Sequence, residues 1–145
     1  MSKFKRELSI LVIEDNKDHV KIIQWAFQKI SKKTRLTYAE DGESVLQNLD
    51  SPDRDAAEAK PDLIMLDLNL PRMHGNEVLK LLKENENLKH IPVIIMSSSD
   101  RDEDVREAYR LGANTFLTKS MVFNDFENVI EKLHEYWSSI ALLPG

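Results

Sequence analysis

The chain has no cysteine among its 145 residues, which excludes disulfides, thiol nucleophiles and cysteine-ligated zinc. Glycine is nearly as scarce. Gly42, Gly75, Gly112 and Gly145 stand far apart, so no loop of the G-x-G-x-x-G kind cradles a phosphate. The longest apolar runs, "LSILVI" and "IPVIIM", are strand-length and too short to cross a bilayer. The basic start, "MSKFKRELSI", is followed by no long apolar segment of a secretion signal. Positive charge is not in excess: 20 Lys and Arg face 25 Asp and Glu, a net charge of −5, so no general attraction to nucleic acid or anionic membrane is expected. His19, His74, His90 and His134 are spread without metal-ligand spacing, and His19 reads as lying on an exposed helix face. A cytoplasmic location fits these exclusions.

What is present is an alternation. Apolar runs at 8–13, 63–66 and 93–96 read as strands, that at 63–66 buried on both faces. "RLTYAE" (35–40), with alternating polar and apolar positions, reads as an edge strand, and "TFLT" (115–118) as a brief fifth. Between them lie segments of helical period. One follows Asn16, with Val20, Ile23, Phe27 and Ile30 on one face. Others cover 42–49, 76–85 and 101–112, the last with Gly112 as its C-cap, and a final helix runs from about Phe123 to Ile140. The stretch "DSPDRDAAEAKP" is a long connection expected at the surface. Five βα units in succession predict an α/β fold, a flavodoxin-like (βα)5 three-layer sandwich with a parallel sheet in the order 2-1-3-4-5. One domain is expected over 1–145, with a core at about 8–134 and a C-terminal helix and apolar tail at 135–145.

In that order the winding reverses between strands 1 and 3, which opens a crevice at their carboxyl ends. Strand 1 delivers Glu14 and Asp15 there, and strand 3 delivers Asp67. Three acids at low dielectric repel one another unless a cation sits among them, and oxygen ligands with room for water suit Mg²⁺. Strand 4 ends at Ser97 and strand 5 at Lys119. Metal, carboxylate nucleophile, hydroxyl and ammonium together suit a phosphoryl group. Singly, each has an ordinary explanation. Asp15 could cap the next helix, and part of the Ser98-Ser99-Asp100 run must cap another. Lys119 could be a solvated lysine, and Asp67 a turn residue before Pro71. Four strand ends delivering the right types together is the stronger observation.

With these residues in hand, the sequence resembles the receiver domain of bacterial response regulators over nearly its whole length. The match is carried by Glu14–Asp15, Asp67 in "LDLNLPRMHG", Ser97 in "PVIIMSSS" and Lys119 in "FLTKS", together with Pro71, Gly75, Pro92 and Phe116. Longer strings and the tail "EYWSSIALLPG" look like single-domain regulators that partner cyanobacterial-type phytochrome histidine kinases. Two positions depart from the common pattern: Glu14 stands for a first aspartate, and Ser120 for the proline after the lysine. The resemblance implies a phosphoacceptor, Asp67, served by a sensor histidine kinase of phytochrome type. It implies Mg²⁺ held by Asp15, Asp67 and the backbone carbonyl of Asn69, with Glu14 in support. Ser97 and Phe116 are implied as switch residues, and Asn69 and Ser99 as positions that tune hydrolysis.

With only "LLPG" after the final helix, output is expected through protein contact and not through an appended catalytic or DNA-binding domain. Tyr136, Trp137, Ile140, Leu142 and Leu143 exceed what one sheet face needs. With Phe116 they are the expected interface of a homodimer or of a partner, a homodimer being formed by the fourth helix, fifth strand and final helix or by the tail. A phosphatase of the haloacid dehalogenase type would need a second aspartate two residues after Asp67, where Asn69 stands. A flavin or nucleotide domain would need the missing glycine loop.

Overall fold

The computed structural model describes residues 7–30, 34–49 and 60–144. The basic first six residues, most of the long connection at 50–61, and Gly145 fall outside it. Five parallel strands, β1 (Ser9–Ile13), β2 (Arg35–Ala39), β3 (Leu63–Asp67), β4 (Val93–Ser97) and β5 (Thr115–Thr118), form one sheet in the order β2-β1-β3-β4-β5. The helices are α1 (Lys17–Ile30), α2 (Gly42–Leu49), α3 (Gly75–Glu84), α4 (Asp102–Arg110), α5 (Lys119–Asn124) and α6 (Phe126–Glu135), followed by a π-helical turn, Tyr136–Ile140. No helix among the described residues is long and apolar enough to cross a membrane.

The two-residue period of the strands sorts the core into two layers. Ile10 and Val12 of β1 face Ile23 and Phe27 of α1 and Ile130 of α6. Leu11 and Ile13 face the opposite side, with Val45 of α2, Val78 and Leu82 of α3 and Ala108 of α4. β3 and β4 are buried at every position, as central parallel strands must be when helices cover both faces. β2 has no fully buried residue and lies at the edge.

The sequence reading differs from the structure most at the C-terminal end. A single helix from Phe123 was expected, but the helix begins at Lys119, because the Thr118 hydroxyl accepts the Met121 N–H at 3.3 Å and caps it. It then breaks at Asp125, whose backbone (φ −142°, ψ 44°) is not helical. The chain re-enters a helix at Phe126 and widens to π-helical geometry at Tyr136. The described peptide bonds are all trans, Lys119–Ser120 included.

Gly112 follows the C-cap residue Leu111 with φ +109°, where a side chain is strained. A Cβ there would lie 2.9 Å from Cγ of Lys83. Gly112→Ala is expected to cost about 1–2 kcal/mol of stability, measured by denaturant unfolding.

Candidate functional site

Burial is set before chemistry. The Glu14 N–H donates to the Ala39 carbonyl at 3.0 Å, which carries the β1–β2 ladder one residue past β1 and buries the Glu14 side chain. Asp67 and Ser97 are the last residues of β3 and β4 and are 1% and 2% exposed. Lys119, the first residue of α5, is 8% exposed. Asp15 stands outside this buried group, exposed to solvent. It does not cap α1. Asn16 does, its side-chain oxygen accepting the N–H groups of Asp18 (3.0 Å) and His19 (3.2 Å).

The sheet order brings these residues together from opposite ends of the chain. The Lys119 ammonium donates to Glu14 Oε1 at 2.8 Å and to Asp67 Oδ2 at 3.0 Å. The other oxygen of each acid takes a backbone donor: Asn16 N–H on Glu14 Oε2 (3.2 Å) and Asn69 N–H on Asp67 Oδ1 (3.0 Å). Carboxylate oxygens of Glu14, Asp15 and Asp67 lie within 4.8 Å of one another. Burial, and then the bond shared with Asp67, raise Glu14 from 4.5 to about 7, against the pull of Lys119. Burial alone would lower the Lys119 ammonium, but its bonds to Glu14 and Asp67 outweigh that and the net shift is upward.

The donors are all oxygens, hard ligands that fit a hard divalent ion. An ammonium already bridges two of the three acids, so the pocket is built to hold positive charge. The exposed carboxylate of Asp15 leaves the cluster open to water on one side.

Around this centre, Gly75 permits a close approach. A Cβ there would lie 2.5 Å from Leu68 Cα and 2.6 Å from the Asp67 carbonyl oxygen, so the loop after Asp67 can close only over glycine. The Gly75 N–H seals that loop by donating to Leu68 O at 2.9 Å. Ser97 Oγ accepts the Ser99 N–H at 3.1 Å. Ser99 Oγ accepts the Arg101 N–H at 3.2 Å and donates to Asp104, which fixes the start of α4. Part of the serine run therefore serves the helix terminus, while Ser97 is buried at the end of β4 beside Thr118 of β5. Phe116 is half-buried against the core layer that includes α4, and its N–H donates to the Tyr109 hydroxyl at 3.2 Å.

The apolar C-terminal residues separate into two sets. Trp137 and Leu143 pack on the core layer of α1 and α6. Tyr136, Ile140 and Leu142 are exposed, at 48%, 61% and 88%.

One site residue escaped the sequence reading. His19, expected on an exposed helix face, lies at the rim of the site with Nδ1 3.2 Å from Lys119 Nζ and 3.3 Å from Glu14 Oε1. Its ring stacks on Phe123, the centroids 4.5 Å apart. Burial, and then the charge of Lys119, lower its pKa. The only hint in the sequence was its place in the first turn after the acidic pair.

The response regulator receiver domain family matches residues 10–131. The probable methanogenesis regulatory protein FilR2 of Methanothrix harundinacea is 35% identical over 136 residues, 94% of this chain and 87% of its own. Response regulator Rcp1 of Synechocystis sp. is 33% identical over 136 residues, 94% of this chain and 92% of its own. The Mn²⁺-bound form of Rcp1 superposes with a TM-score of 0.84 at 32% identity, covering 95% of this chain and 99% of that one. The phosphorylated cyanobacterial phytochrome response regulator RcpA superposes with a TM-score of 0.87 at 34% identity, covering 97% of this chain and 100% of that one.

Proposed function

The chain belongs to the response regulator receiver domain family, and from that premise we propose that Asp67 accepts a phosphoryl group from the phosphohistidine of a sensor histidine kinase. The observation that best supports this is the convergence of Glu14, Asp15, Asp67 and Lys119 at the point where the sheet winding reverses. A carboxylate oxygen of Asp67 attacks phosphorus. The O–P bond forms as the P–N bond of the phosphoimidazole breaks, and the departing nitrogen keeps the electron pair and then takes a proton from water. Lys119 offsets the charge on the phosphoryl oxygens, and the Ser97 hydroxyl donates to one of them. Asp15 and Asp67, with the backbone carbonyl of Asn69, would hold Mg²⁺, and Glu14 would support it through water. When bound, the ion neutralises negative charge where acceptor and phosphoryl meet. That a relative binds Mn²⁺ supports a divalent ion here.

The same contacts offer a way to signal. Turning Ser97 Oγ toward a phosphoryl group gives up the Ser99 N–H, loosens the start of α4 and leaves space for half-buried Phe116 to turn inward. Asn69 and Ser99 flank the acyl phosphate and tune its hydrolysis; Asn69 can orient a water but cannot deprotonate it.

A single-domain cytoplasmic regulator that speaks through protein contact fits these features, and the names of Rcp1 and RcpA support a phytochrome-type kinase as partner. The dimer surface is either the face of α4, β5 and the final helix with Phe116, or the tail, where exposed Tyr136, Ile140 and Leu142 are backed by Trp137 and Leu143. Sedimentation velocity is expected to show a dimer in at least one of the free and beryllofluoride-treated states. A monomer in both removes the dimer assignment.

The test of the reading itself is incubation with Mg²⁺ and acetyl phosphate followed by intact-mass measurement. One added phosphoryl group is expected, and its decay after the donor is removed gives its lifetime.

A further inference from the structure

We infer that His19 is a positioning residue for phosphoryl transfer, holding the Lys119 ammonium in line with Asp67. This role rests on the phosphoacceptor reading above. An ammonium has three N–H donors and no acceptor. In Lys119 two of them go to Glu14 Oε1 (2.8 Å) and Asp67 Oδ2 (3.0 Å), and the group is almost wholly buried. The third meets His19 Nδ1 at 3.2 Å. Without that acceptor a buried donor would lack a partner.

The same Nδ1 lies 3.3 Å from Glu14 Oε1, so one nitrogen faces both a donor and an acceptor. Glu14 has no need of it. Its Oε1 already accepts from Lys119 and its Oε2 from the Asn16 N–H at 3.2 Å. Only the lysine depends on the ring, which therefore presents a bare Nδ1 and carries its proton on Nε2.

The ring is also held in place from behind. Lys119 and Phe123 lie four residues apart on α5, so they share one helix face, and His19 of α1 packs along both. This one side chain joins the first turn after the acidic pair to the helix that carries the lysine. A free ammonium on a four-carbon stem has many rotamers; one tethered from α1 and flanked by Phe123 has few.

Two measurements decide the matter. Long-range proton–nitrogen correlation spectra of the metal-free protein should show His19 with Nε2 protonated and Nδ1 bare; a proton on Nδ1 overturns the tether whatever the protein does with phosphate. Phosphorylation by acetyl phosphate should slow about fivefold in His19→Leu, which keeps apolar contact with Phe123 but offers no acceptor. His19→Asn, whose side-chain oxygen replaces Nδ1, should recover most of the rate. Equal rates in wild type and His19→Leu, or no recovery in His19→Asn, overturn the role. If the wild type takes up no phosphoryl group, the phosphoacceptor reading fails, and the nitrogen spectrum still judges the tether alone.

Discussion

Asp67→Asn is expected to abolish phosphoryl uptake from acetyl phosphate while leaving the fold intact. An amide oxygen is a far weaker nucleophile than a carboxylate, and no other carboxylate in the site is placed like Asp67. Glu14 is pinned by Lys119 and the Asn16 N–H, and Asp15 stands in solvent. The variant keeps the oxygen that accepts the Asn69 N–H, and Lys119 keeps Glu14. It also removes one of the groups that raise Glu14, so at neutral pH its melting temperature should equal or exceed that of the wild type. Intact mass and thermal unfolding on the same samples settle the point. Uptake that survives in the folded variant would place the phosphoryl group on another residue, and a wild type that takes up none would end the phosphoacceptor reading.

The metal-free protein is expected to lose up to about 3 kcal/mol of stability as pH rises from about 5 to 8, through Glu14 alone. The sign follows from the direction of the shift. Glu14 ionises near 4.5 in an unfolded chain but near 7 in the fold, because burial and then Asp67 oppose its charge. The folded state therefore binds the proton more tightly. This contribution is fully present below the unfolded value and lost as pH passes through the folded one. Divalent metal should reverse the loss at pH 8, since it binds the ionised acids and only the folded chain assembles them. Glu14→Gln cannot titrate, so in chelator it should be the more stable protein at pH 8 and should flatten this part of the profile. Parallel profiles for wild type and Glu14→Gln in chelator would show that Glu14 ionises normally.

How far these residues could be read from the sequence depends on how local their physics is. Asp67 and Ser97 were legible because each ends a run of apolar residues that can only be a buried central strand, so a polar residue there has to be explained. Lys119 was legible as the end of the fifth strand, yet it opens a helix, since the capping bond from Met121 to Thr118 starts α5 about one turn before the Phe123 that apolar period suggests. The break at Asp125 was missed because Phe123, Phe126 and Ile130 keep a helical spacing across it. The tail composition announced excess apolar surface. Which residues turn inward, Trp137 and Leu143, and which outward, Tyr136, Ile140 and Leu142, was settled by the π-helical turn, which changes the period.

The sequence by itself determined the alternation of five strands with helices, the order β2-β1-β3-β4-β5 and the chemical types at each strand end. Those follow from local period, from the handedness of crossovers and from the cost of burying charge. Only the tertiary structure decided which acid meets the lysine, how far Glu14 is raised, and that His19 joins the site. Those contacts span up to 100 residues of chain, and no local pattern carries the distance between two side chains that meet only when the sheet closes.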